Sequence, residues 1–247
     1  MEPAPVPASP VLNVRFYRPE DRAAVRRICA ETGFLGKPID VLFEDRDLFA
    51  DYLTRYYTDK EPESTLVIEV DGKVSGYLTG SRHLKRYKMF RFRDNARLFL
   101  VGMWRYFTRP YGAATRQYVR WLLTRAGKEN PHTPQGLPHF HINLLPEARS
   151  VAGTRGLIDA FLDYLRREGD TGVYGQMVTF DSRRGTRMFE RYGFRVVDQV
   201  EVTKYKHLHE GGIFLFTIVK DLAANVSLYG KDLHKEKEGE QETEPVS

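Results

Sequence analysis

The chain of 247 residues contains one cysteine, Cys29. An intramolecular disulfide is therefore excluded, a cysteine-rich metal site cannot be assembled, and a reducing, cytoplasmic setting is expected. Also missing is any run of about 18 uninterrupted apolar residues, the length that a membrane-crossing helix needs. The opening residues "MEPAPVPASP" have neither the basic start nor the apolar centre of a secretory signal. No internal repeat is visible. These absences exclude a disulfide scaffold, a helical membrane span and a solenoid. What is left is a chain long enough to bury one sizeable core. We expect a Pro-studded flexible leader over 1–10, one domain over 11–222, and a disordered acidic tail over 223–247. The tail ends in "GKDLHKEKEGEQETEPVS", which has too little apolar surface to offset the entropy of ordering it.

Charge is present but unevenly placed. The formal net charge is +5, yet residues 81–130 hold 13 Lys/Arg against only Asp94 and Glu129, so this segment carries +11 and the remainder −6. The basicity is a regional property.

Hydrophobic periodicity orders the rest. "LNVRFY" reads as a strand, and "RPEDRAAVRRICAET" as a helix with Pro19 in its first turn and acidic residues at its positive end. In "DVLFEDRDLFADYLTRYYT", Leu42, Phe43, Phe49, Leu53 and Tyr56 recur at helical spacing, with Asp40 as candidate N-cap. "STLVIEV-DGK-VSGYLTG" is a hairpin closed by an Asp-Gly turn, which supplies the positive φ angles that tight hairpins need. "HFHINLL" is a strand, and the helix after it carries Leu157, Ile158, Phe161, Leu162 and Leu165 on one face. "GVYGQMV", "FRVVDQVEVTKY" and "GIFLFTIVKDL" read as strands, with a short helix in "SRRGTRMFERY". The order β-α-α-β-β-insert-β-α-β-α-β-β implies an α/β (α+β) fold, a mixed sheet covered by helices.

Two passages, "LLPEARSVAG" before a helix and "RMFERYGFRVV" after the next strand, together with this order of elements, resemble the GNAT superfamily of acyl-CoA-dependent N-acetyltransferases. The resemblance covers roughly 12–80 and 138–222. It implies a mostly antiparallel central sheet and direct transfer of an acetyl group from acetyl-CoA to an amine acceptor, a small molecule or a peptide. It also implies that Arg149, Ser150, Val151, Ala152, Gly153 and Thr154 form the loop that receives the coenzyme A pyrophosphate. A helix N-terminus suits that task, because its free backbone N–H groups and its dipole both favour an anion. The family's loop has small residues where Ala152 and Thr154 stand, and the β-branched Thr154 crowds the expected phosphate path. The backbone of Leu144 and Leu145 is expected to pair with the pantetheine arm and polarise the thioester carbonyl.

The family's general acid is a tyrosine two helical turns after an Asn. Alignment on Gly193 and Phe194 puts Ser182 at the Asn position and Phe189 at the tyrosine position, so the usual acid is absent and Tyr192 is the nearest substitute. The candidate base lies on the "HFHINLL" strand, where His139, His141 and Asn143 alternate and so share one face. Of these, His141 is the candidate catalytic base and His139 the one held structurally. The rival reading is a catalytically silent GNAT domain that binds acyl-CoA or a partner. His207 and His209 in "YKHLHEGG" lack further donors at ligand spacing, and no metal is expected.

The basic insert, 81–137, interrupts the sheet between its third and fourth strands. It reads as helices over 95–107 and 113–126, broken at Pro110, with Arg116 and Arg120 on one face. Three roles stay open: a lid over the acceptor site, docking on an anionic membrane or a protein partner, and nucleic-acid binding. The last is disfavoured by the absence of any nucleic-acid module and by an acidic remainder. Oligomeric state stays open, a homodimer included.

Overall fold

The structure, a computed structural model, describes residues 10–180, 189–206 and 208–223. The leader and the acidic tail expected from the sequence fall almost entirely outside these residues. So does most of the short helix read in "SRRGTRMFERY", including Ser182.

Strand β1 (Leu12–Phe16) leads through a 3-10 turn into α1 (Arg22–Thr32), followed by α2 (Arg46–Asp59), β2 (Thr65–Val70) and β3 (Lys73–Ser81). The insert supplies α3 (Leu84–Thr108) and α4 (Ala113–Thr124). Then come β4 (His139–Leu144), α5 (Val151–Arg167), β5 (Gly172–Thr179), β6 (Arg195–Glu201) and β7 (Phe214–Asp221). The strands form one seven-stranded sheet in the order β1-β2-β3-β4-β5-β7-β6. Every neighbouring pair is antiparallel except β4 and β5, which run parallel.

Alternation along the strands divides the core into two layers. Leu66, Ile68, Leu78 and Phe140 face α5, whose Leu157, Ile158, Phe161, Leu162 and Leu165 are all buried against the sheet. Val67 and Tyr77 face the opposite way, onto Val25, Ile28 and Cys29 of α1 and Ala50 of α2. Burial on both faces explains the unbroken apolar run Leu66-Val67-Ile68 within β2. A third cluster joins Ile39, Leu42 and Phe43 to Val202, Tyr205 and Ile213, with Tyr118 and Val119 of α4 packed on it.

The β2–β3 hairpin is as the sequence predicts, with Asp71 at φ 49° and Gly72 at φ 78°. Three local expectations need correction. Asp40 does not cap the second helix. Asp45 does, accepting from the Leu48 N–H at 3.2 Å, while Asp40 pairs with Arg46. The first insert helix begins at Leu84, well before Asn95, because Tyr87, Phe90, Asp94 and Leu98 continue one inward face toward α2. Phe90 packs on Tyr56 at 5.3 Å between ring centroids, and Asp94 pairs with Arg55 at 2.8 Å. The long strand read through Tyr205 stops at Glu201, where the chain turns into a 3-10 segment that sends Tyr205 into the third cluster.

The insert is fastened by a buried carboxylate. Asp45 receives two bonds from Arg105 (2.7 and 2.8 Å), one from Arg109 (3.2 Å) and one from the Tyr111 hydroxyl (2.6 Å). The end of α3 is thereby tied to the start of α2.

Candidate active site at the parting of two strands

β4 and β5 pair only at His139–Tyr174 and Phe140–Gly175, whereas β4 keeps its ladder with β3 as far as Leu144. A gap therefore opens between two strands that begin side by side. In an antiparallel ladder successive residues turn their backbone groups alternately to the two sides. The Leu145 N–H donates to the Ser75 carbonyl at 2.9 Å, which fixes the parity. His141 and Asn143 point their backbone groups at β3, and Ile142 and Leu144 point theirs into the gap.

This register turns the Leu145 backbone away from the gap and adds a residue. The Leu145 carbonyl accepts from the Ala148 N–H at 3.0 Å, so both backbone groups of Leu145 are already committed. Ile142, which the sequence reading passed over, joins Leu144 at the gap. Only the tertiary divergence of β5 exposes it, and no signal in the local sequence marks it.

The loop after β4 divides into parts that hold shape and parts that face outward. A 3-10 turn, Pro146–Ala148, carries the chain to α5. The Ser150 hydroxyl caps that helix, accepting from the Gly153 N–H at 3.0 Å, and the Thr154 N–H returns to the Ser150 carbonyl at 3.0 Å. Gly153 is buried. A Cβ there would stand 2.5 Å from the Ala148 carbonyl oxygen, so this glycine permits the close approach of helix and turn. Val151 and Ala152, both exposed, open the helix, and their N–H groups have no intrahelical acceptor. Arg149 donates to the Gly36 carbonyl at 2.9 Å and to the Leu144 carbonyl at 3.1 Å, yet it is in no ion pair among the described residues. Its charge stays uncompensated beside the helix start.

The histidines occupy the other face of β4. His139 is buried, with Nε2 2.8 Å from the Tyr57 hydroxyl, and its Nδ1 has no partner among the described residues. Its ring lies 4.6 Å from Tyr87 of α3 and 5.6 Å from Tyr174 of β5, centroid to centroid. His141 sits 5.7 Å from His139 and 6.0 Å from Tyr57, with no side-chain hydrogen bond among the described residues. Asn143 donates to the Thr32 hydroxyl at 2.6 Å. Burial, reinforced by the neighbouring Arg91 charge, pushes the His141 pKa down to about 4. Burial and then the His141 charge take His139 to about 3. The near-neutral pKa of an ordinary histidine is therefore not retained at either position, and both rings are neutral at pH 7. The three tyrosines around the pair were missed by the sequence reading, because they come from α2, α3 and β5.

The candidate acid side lies across the sheet. Phe189 is 5% exposed and packs edge-on against Phe194 at 5.9 Å, within the cluster that faces α5. Tyr192 borders the same cluster, and its carbonyl accepts from the Lys220 ammonium. His141 and Tyr192 thus occupy opposite faces of the sheet. His207 falls outside the described residues, and the His209 ring rests on Phe180 at 4.8 Å.

No protein-family model and no curated protein sequence matches this chain. Solved structures do. SsHAT superposes with a TM-score of 0.58 at 23% identity, covering 86% of this chain and 99% of its own. A GCN5-related N-acetyltransferase from Kribbella flavida gives 0.51 at 15% identity, covering 85% and 97%. The yncA protein of Salmonella typhimurium, solved with its cofactor acetyl-CoA, gives 0.50 at 14% identity, covering 87% and 96%. The fold is the GNAT fold.

In this GNAT fold the parted strands and the start of α5 form one continuous edge. It runs from the backbone groups of Ile142 and Leu144 to the open amides of Val151 and Ala152, with the Arg149 charge alongside. That edge suits an extended ligand with amide groups along its length and phosphates at its end.

Proposed function

We propose that the chain is an acyltransferase that moves an acetyl group from acetyl-CoA to an amine acceptor by direct attack. The observation that carries this reading is the backbone edge at the β4–β5 gap, where the Ile142 groups and the Leu144 N–H face no strand and the Leu144 carbonyl meets Arg149, leading to a helix start whose first amides have no intrahelical acceptor. Ile142 and Leu144 hold the amide-bearing arm of the cosubstrate by strand-like hydrogen bonds, and Val151 and Ala152, with Arg149, hold its pyrophosphate. Ser150 and Gly153 act one step back, by fixing the turn that aims those amides. Acetyl-CoA supplies the acyl group as an activated thioester.

The chain's own contribution to chemistry lies on the histidine face. An alkylamine has a reference pKa of about 10.4 and must be neutral to attack. A base of pKa about 4 does not deprotonate the free ammonium. His141 serves instead as the acceptor for the proton that becomes acidic as nitrogen bonds to the carbonyl carbon. Positioned proton transfer of this kind contributes about 10²- to 10⁴-fold. The Leu144 N–H is the backbone donor nearest in sequence to the reacting strand segment.

One observation favours a second reading. Phe189 is buried in the core and offers no hydroxyl, as a silent acyl-CoA-binding GNAT domain would have it. The two readings separate in a paired experiment: thermal shift with acetyl-CoA and with coenzyme A, then thiol release with a panel of amines. Ligand at 100 times its Kd stabilises by about 2.7 kcal/mol. A shift with thiol release supports the enzyme, a shift without release the silent binder, and no shift at millimolar ligand removes both.

A further inference from the structure

Helix α3 has two apolar faces, and the site uses one. Tyr87, Phe90 and Leu98 look inward, where Asp94 and Arg105 also make their ion pairs. On the other side Met89, Phe92, Phe99, Leu100, Met103 and Phe107 are all exposed, Phe92 at 80%, Leu100 at 67% and Phe107 at 77%. At about 100° per residue the six fall within one arc of about 100°, a single stripe. From Met89 to Phe107 the stripe runs about 27 Å at 1.5 Å per residue. Lys85, Lys88 and Arg93 are exposed beside it, and none of the three is in an ion pair among the described residues. Arg116 and Arg120 of α4 are likewise exposed and in no ion pair among them. An open depression of about 720 Å³ at the start of α3, lined by Arg82, His83, Lys85, Arg86 and Lys88, extends the same positive surface.

We propose that the outer face of α3 docks on an anionic lipid membrane, with the helix lying along the interface. An apolar stripe bordered by lysine and arginine matches a surface that is greasy below its headgroups and negative at them. Charge decides against the other occupants. A second copy would bring the same cations face to face, and a nucleic acid would satisfy the cations while leaving six large apolar side chains in water. No helix among the described residues is long and apolar enough to cross the bilayer, so the contact is peripheral. The Asp45 clamp holds the helix to the domain, and docking therefore places the whole fold against the membrane.

The test uses the full chain and vesicles of phosphatidylcholine with phosphatidylserine in equal parts, against phosphatidylcholine alone. The protein cosediments with the anionic vesicles only, and Trp104 emission shifts to the blue on binding, a shift absent from Trp104→Phe. Lys85→Gln with Lys88→Gln weakens vesicle affinity roughly 25-fold, about fivefold per charge. Phe92→Asp with Phe99→Asp abolishes binding, while acetyl-CoA thermal shift is retained in all variants, so this outcome is independent of the acyl-transfer reading. The proposal is overturned by equal binding to neutral vesicles, by no binding at low salt, or by binding that survives Phe92→Asp with Phe99→Asp. It is also overturned by a dimer in light scattering that those two substitutions dissolve, or by a nucleic-acid gel shift in place of vesicle binding.

Discussion

Replacing His141 with Asn tests the chemistry and the energetics of the His139–His141 pair together. Burial and the Arg91 charge lower this histidine from 6.5 to about 4. At 1.36 kcal/mol per unit, that is roughly 3 kcal/mol of preference for the neutral ring in the folded state. The unfolded chain takes up a proton below about pH 6.5, and the folded one refuses it until near pH 4. The stability is therefore full above the unfolded pKa and is lost as pH falls between those limits. His139, lowered to about 3, adds a second proton with the same sign. With both histidines in play the slope approaches about 2.7 kcal/mol per pH unit, and with one it halves. Urea unfolding of wild type and His141→Asn at intervals from pH 7 to pH 4 measures this directly. In the same variant, acetyl transfer at pH 7 falls by about 10²- to 10⁴-fold with acetyl-CoA affinity little changed. An unaltered slope refutes the energetic argument. A wild-type acid limb near pH 4 that persists in the variant refutes the assignment of His141 as base.

Other substitutions test the frame around it. Gly153→Ala drives a methyl group to 2.5 Å from the Ala148 carbonyl oxygen, and so abolishes the acetyl-CoA thermal shift while the circular dichroism of the sheet persists. Ser150→Ala removes the α5 cap and lowers stability by about 1 kcal/mol, read from the urea midpoint. Phe189→Tyr buries a hydroxyl within the α5-facing cluster, lowering stability by about 1–3 kcal/mol. Where thiolate departure limits turnover it also raises the rate, so an unchanged rate in a folded variant places the acid elsewhere. Asp45→Ala leaves Arg105 and the Tyr111 hydroxyl without their carboxylate, costs about 3–5 kcal/mol, and increases protease cleavage within the insert.

The sequence by itself determined the features that depend on neighbours along the chain. The Asp-Gly hairpin, the amphipathic α5 and the insertion between the third and fourth strands are each written in local periodicity or turn chemistry. The resemblance carried by "LLPEARSVAG" and "RMFERYGFRVV" adds the fold. Helix limits in the insert were not legible, because the charged run before Asn95 hides an inward face that only α2 reveals. The same sequence names His141 but cannot give its pKa, since the burial and the Arg91 charge that set it come from distant elements. Whether a backbone group is free is also a tertiary fact. Leu144 and Leu145 are adjacent and alike in sequence, yet β3 takes the amide of one and the departure of β5 bares the amide of the other.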